Sequence, residues 1–107
     1  GRISYSKKST EITIKFTDLF ALIAPFLMDH PTELRTKDIF ERELKGFSKA
    51  PGDAPDISNQ DFQSAKLHFI EKNLIKVSYN KATNGSMGLF WSLTMLGEKV
   101  MFELRKI

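Results

Sequence analysis

Apolar and polar positions change period several times along this chain, and each change marks an element. Residues 2–10 are polar and without a period, and read as a flexible arm or the end of a linker. Over residues 11–16 the pattern alternates, with Ile12, Ile14 and Phe16 on one side and Thr13 and Lys15 on the other. That spacing predicts a short half-buried strand. Thr17 then offers a capping hydroxyl and Asp18 a negative charge for the first turn of a helix. Leu19, Leu22, Ile23, Phe26 and Leu27 follow at helical spacing, so one broad face is apolar. Pro25 lies inside this helix; it removes one backbone hydrogen bond and crowds the Ala21 carbonyl, which predicts a kink. The helix should end near Asp29, because His30 precedes Pro31.

A second helix is expected over residues 33–45, with three acid-first i, i+4 pairs and Leu34, Ile39, Phe40 and Leu44 as its apolar positions. Thr32 and Thr36 both suit its N-cap; a start at Thr36 would leave residues 33–35 as a short strand. Gly46 suits the C-cap, and residues 47–56 read as a Pro/Gly/Asp-rich loop. A third helix opens at Ser58, with Asp61 three residues on as a capping-box partner and Ile57 and Phe62 at staple spacing. Phe62, Ala65, Phe69, Ile70 and Asn73 form its expected inner side; Gln60, Gln63, Ser64, Leu67, His68 and Glu71 form its outer side. The period then becomes alternating at Ile75, Val77 and Tyr79. Residues 80–88 form a turn region around Asn84-Gly85, and Leu89, Trp91 and Leu93 mark the return strand. Thr94 caps a last helix with Leu96, Val100, Met101, Leu104 and Ile107 as its apolar positions.

Three helices followed by a two-stranded hairpin and a closing helix resemble a winged helix, an α+β variant of the helix-turn-helix. The resemblance is sharpest at Trp91-Ser92-Leu93-Thr94-Met95-Leu96-Gly97-Glu98-Lys99, similar to the aromatic-x-Leu-Thr-x-x-Gly segment that closes the wing in many bacterial and archaeal members, where Pro often stands at the Met95 position. Phe69-Ile70-Glu71-Lys72-Asn73-Leu74-Ile75 resembles the join from recognition helix to wing. The likeness covers residues 17–107; with the strand read over 11–16, a domain is expected over 11–107 after an arm at 1–10. It implies that the third helix enters the DNA major groove and the wing touches phosphates. Matched onto this chain, Gln60, Gln63, Ser64 and Leu67 become base-reading candidates, with His68 beside them. Asn59, Lys72, Lys76 and Lys81 become phosphate candidates. No Arg occurs between Arg42 and Arg105, and Glu71 sits where phosphate would lie, so the implied binding is weak and electrostatic. Separately, Phe16-Thr17-Asp18-Leu19-Phe20-Ala21-Leu22-Ile23-Ala24-Pro25 resembles a segment near the C-terminus of uncharacterised bacterial proteins that carry a TIR-like N-terminal domain. That likeness implies a sensor or effector with the winged helix as an appended module.

Composition narrows the chemistry. The 107 residues suit one domain with a modest core. Cys is absent, which excludes disulfides, thiolate zinc sites and Cys nucleophiles. No apolar run reaches the roughly 18–20 residues of a membrane span. No signal peptide is visible, so a cytoplasmic location is expected. The leading Gly reads as a tag scar on a domain cut from a longer protein. Net charge is +3, unevenly spread: residues 1–16 hold four bases and one acid, 17–61 five bases and nine acids, and 62–88 four bases and one acid. The basic third quarter can meet phosphate, although it falls short of a clustered basic stripe.

The remaining features have plainer readings. His30 beside Asp29 is a helix-end residue before it is an acid–base pair, and His68 is a surface residue before it is a groove contact. Asp53 and Asp56 fall far short of a calcium loop. Asn84-Gly85-Ser86 is a turn before it is a glycosylation site, and Gly85 and Gly88 lack the GK[ST] of a phosphate loop. Trp91 shares its face with Leu89 and Leu93, which favours core packing over base stacking. Lys7-Lys8 reads as part of a solvated arm. No nucleophile, base and acid converge, so enzyme activity, cofactor and metal are not expected. The leading expectation is double-stranded DNA binding. The runner-up is a protein-interaction or dimerisation module, or docking onto other domains of a parent protein, through Phe102 of the last helix or the surface around Leu67.

Overall fold

The computed structural model describes residues 1–7, 10–47 and 55–105. Most of the expected loop, together with Lys8, Asp53 and Ile107, lies outside the described residues. The elements run β1 (Arg2–Lys7), β2 (Thr10–Lys15), α1 (Phe16–Leu27), α2 (Glu33–Leu44), β3 (Pro55–Asp56), α3 (Asn59–Glu71), β4 (Ile75–Lys81), β5 (Met87–Leu93) and α4 (Met95–Arg105). The fold is α+β, with two small antiparallel sheets, β2-β1-β3 and β4-β5.

Residues 2–7 of the expected arm form β1 instead. Arg2 pairs with Lys15 and Lys7 with Thr10 at the two ends of its register against β2. Ile3, Tyr5 and Lys7 alternate inward, and all three are buried. Only two of these positions are apolar, so the strand period is masked in the sequence. Lys7 completes it by burying its aliphatic stem while Nζ donates to the Lys45 carbonyl at 3.0 Å.

α1 begins at Phe16, one residue before the expected cap, and Thr17 is an exposed residue within it. Lys15 is the N-cap and supplies no side-chain bond. The Phe16 N–H donates to the Gly1 carbonyl across the β1–β2 pair at 3.0 Å, a tertiary bond that local reading does not see. Pro25 lies inside α1 and has no N–H to offer the Ala21 carbonyl. Arg105 Nη1 donates to that oxygen at 3.1 Å, so the gap left by the proline ties α4 to α1.

Thr32, not Thr36, caps α2: its Oγ1 accepts from the Arg35 N–H at 3.2 Å, while Thr36 is buried and donates its hydroxyl to the Thr32 carbonyl at 2.8 Å. Residues 33–35 are therefore helical and not a strand. Ser58 caps α3 as expected, accepting from the Asp61 N–H at 3.0 Å and donating its hydroxyl to Asp61 Oδ2 at 2.9 Å. Ile57 and Phe62 are both buried beside this cap.

α3 ends in a Schellman turn. Asn73 adopts a positive φ of 59°, its N–H donates to the Ile70 carbonyl, and Leu74 N–H reaches the Phe69 carbonyl. Two residues expected on the inner side, Ile70 and Asn73, are exposed, because the chain has already turned toward β4. Tyr79 is likewise exposed, since the hairpin projects beyond the core. The hairpin strands are longer than expected and reach Lys81 and Met87, with Gly85 at φ 91° in the loop.

Thr94 closes the hairpin. Its Oγ1 donates to the Asn73 carbonyl at 2.6 Å and accepts from the Gly97 N–H at 2.8 Å. A Cβ at Gly97 would overlap the Leu74 carbonyl, so the turn after α3 and the start of α4 pack backbone to backbone. Of the apolar positions expected in α4, Met101 is buried and Val100 half-buried, whereas Leu96 and Leu104 are exposed. The core joins the layers through rings: Trp91 of β5 stacks on Phe62 of α3 at 5.3 Å, and Phe40 of α2 meets both edge-on.

Candidate nucleic-acid interface

The outer residues of α3 separate into a free ridge and two occupied flanks. Gln60, Ser64 and Leu67 are exposed along one line, continued by Glu71; Leu67 is 63% exposed. Asn59 is exposed at the first position of the helix. Gln63 and His68, expected beside them, lie on the flanks and are half-buried.

The flank facing α2 is held by Glu33. Its carboxylate accepts from Lys66 Nζ at 2.7 Å and from Trp91 Nε1 at 3.1 Å, and Gln63 donates to it as well. Burial opposes ionisation of Glu33, but these donors outweigh it and hold its carboxyl below the usual range. Gln63 and Lys66 are thus spent on the structure. This node is invisible to sequence reading because Glu33 lies 30 or more positions from its donors, and a lone acid at the start of α2 carries no signal of its own.

On the other flank His68 stacks flat on Phe16, with ring centroids 4.0 Å apart and planes 13° apart. Burial, then the Lys72 charge, lower its pKa, which favours the neutral ring. Lys72 lies on this side, and an open hollow there is lined by Arg2, Lys15, His68 and Lys72. The basic start of the chain therefore joins the C-terminal end of α3. The excess charge of residues 1–16 is plain in the sequence, but Arg2 was expected in an arm and Lys15 on the polar side of a strand, with nothing to bring them to Lys72.

The hairpin lysines lie apart from that hollow. Lys76 and Lys81 are exposed on β4. Lys81 borders a small polar recess with His30, Ser78 and Ser92. Among the described residues, Lys72, Lys76 and Lys81 form no ion pair. The N-terminal end of α3 has the opposite sign: Glu11, Asp56 and Asp61 surround Ser58 there.

Among the described residues no three His, Cys, Asp or Glu side chains gather as a metal site. No helix among them is long and apolar enough to cross a membrane. Comparison with protein-family models and with curated proteins found no match.

Proposed function

We propose that this chain is a winged-helix module that binds double-stranded DNA weakly, through phosphate contacts from the C-terminal end of α3 and the β4–β5 hairpin. The observation that carries this reading is the exposure of Lys72, Lys76 and Lys81 without ion-pair partners among the described residues, together with the exposed ridge of Gln60, Ser64 and Leu67 on α3. The segment between α1 and α2 supports the winged-helix part. Thr32 bridges Phe90 in antiparallel fashion, and the Trp91 N–H donates to the Pro31 carbonyl at 2.9 Å. That edge pairing steadies the hairpin beside α3, where a wing would stand. The acids around Ser58 disfavour phosphate at the N-terminal end of α3, so groove contact would come from its middle and its basic end.

A labelled duplex titrated by fluorescence anisotropy at about 50 and 200 mM salt tests the reading. Affinity should fall with salt. Replacing Lys72, Lys76 and Lys81 with Ala should weaken binding and flatten the salt slope by about 0.9 for each phosphate no longer neutralised. No binding at low salt with high-micromolar protein would overturn it.

One observation favours a second reading, a protein-interaction module. Met95 is 89% exposed and Phe102 59%, and the seven-residue spacing puts both on the outer side of α4. Self-association that survives the triple lysine change and is abolished by Phe102→Ser would favour it.

A further inference from the structure

At the Phe16–His68 stack, the basic hollow shares Phe16, Thr17, His68 and Lys72 with a neighbouring cleft of different character. The cleft measures about 250 Å³ and lies between α1, α3 and α4. Its floor is Phe20, Phe69, Leu74 and Val100, and Leu104 stands at one side. The basic hollow contributes Arg2 and Lys15, while Lys72 borders both spaces, as do Phe16, Thr17 and His68. No carboxylate among the described residues lines either space. Among the described residues Arg2, Lys15 and Lys72 have no acidic partner. An apolar recess thus meets a rim of three cations at a wall of stacked rings.

We propose that this compound cleft binds a small aromatic carboxylate, with its ring in the recess and its anionic group on the Arg2, Lys15 and Lys72 rim. The recess is large enough, since roughly 150 Å³ of apolar cavity already holds a benzene ring. Its lining offers almost no hydrogen-bond partner, which disfavours a nucleobase, whose ring edge carries several donors and acceptors. The ring wall favours an aromatic body over an alkyl one, because ring contact with the Phe16–His68 pair, whose facing sides already cover each other, adds to area burial. The rim supplies the charge complement, with the Arg2 guanidinium able to hold a carboxylate through two parallel bonds. Lys76 and Lys81 line neither space, so Lys72 is the one residue this cleft shares with the proposed phosphate contacts.

The probe is 2-naphthoate, titrated into the whole chain and followed by NMR. Neutral 2-naphthylmethanol and acetate isolate the ring and the head group. Naphthoate should shift Phe16, His68, Lys72 and Val100 with a dissociation constant of about 1 mM or tighter, the affinity a ligand of this size reaches at ordinary efficiency. The alcohol and acetate should each bind several times more weakly. Lys15→Gln with Lys72→Gln, both at exposed positions, should weaken naphthoate roughly three- to tenfold, the scale of two solvent-screened ion pairs. Leu104→Glu, also at an exposed position, sets an acid at the recess and should weaken it too. Lys76→Gln with Lys81→Gln should leave it unchanged. Absence of shifts at about 10 mM probe, equal binding of the alcohol, or indifference to the Lys15 and Lys72 changes would each overturn the assignment.

Discussion

The two ends of α3 are built differently. At the N-terminal end a local device suffices: Ser58 and Asp61 bond to each other three residues apart, and Glu11 and Asp56 add negative charge around them. At the C-terminal end the helix stops in a Schellman turn whose Leu74 carbonyl lies against Gly97, whose Asn73 carbonyl accepts from Thr94, and whose flank packs on Phe16. Acid at the start and base at the end both suit the helix dipole, so part of this charge separation serves α3 itself. Its consequence reaches further. One end repels anions, and the other gathers Arg2, Lys15 and Lys72 around an open surface.

The difference between the two ends predicts unequal costs. Gly97→Ala should be the most damaging change, because the added methyl meets backbone and not a yielding side chain. A destabilisation of about 1–3 kcal/mol by urea denaturation is expected. Ser58→Ala at the other end should cost about 1 kcal/mol, the usual value of an N-cap. If Ser58→Ala proved the costlier, the C-terminal latch would not be the stronger of the two. The smallest effect should be a pH dependence at His68. Its folded pKa is lowered from 6.5, so the neutral ring contributes stability that is complete above that value and is lost as pH falls through the lowered pKa. The stability advantage of the wild type over His68→Gln, measured by thermal melts from about pH 8 down to about pH 5, should therefore shrink with acidification. An advantage that grew instead would mean His68 gains a proton on folding, contrary to its position against Phe16 and Lys72.

Features written in consecutive residues were legible. The Ser58–Asp61 cap, the Thr94 cap, the close packing at Gly97 and the core position of Trp91 all follow from neighbours within a turn or from a strand period. Features made by contact between distant segments were not. β1 hid because Lys7 occupies an inward position by burying only its stem. Thr17 is not the cap because the Gly1 carbonyl meets the Phe16 N–H first. Gln63 and Lys66 look like free surface until Glu33 arrives from α2. Of the nine candidate residues, Asn59, Gln60, Ser64, Leu67, Lys72, Lys76 and Lys81 are exposed or on the open ridge, while Gln63 and His68 are engaged inside the fold.

The amino-acid sequence by itself determined the helices, the hairpin, their order and the aromatic core, because periodicity and capping act over a few residues and need no distant partner. Tertiary structure decided which polar groups remain available. A charge or an amide is free or spent according to what the rest of the chain brings within about 3 Å of it, and that depends on packing between segments far apart in sequence. Arg2 and Lys15 became neighbours of Lys72, and Lys66 became the partner of Glu33, only through that closure.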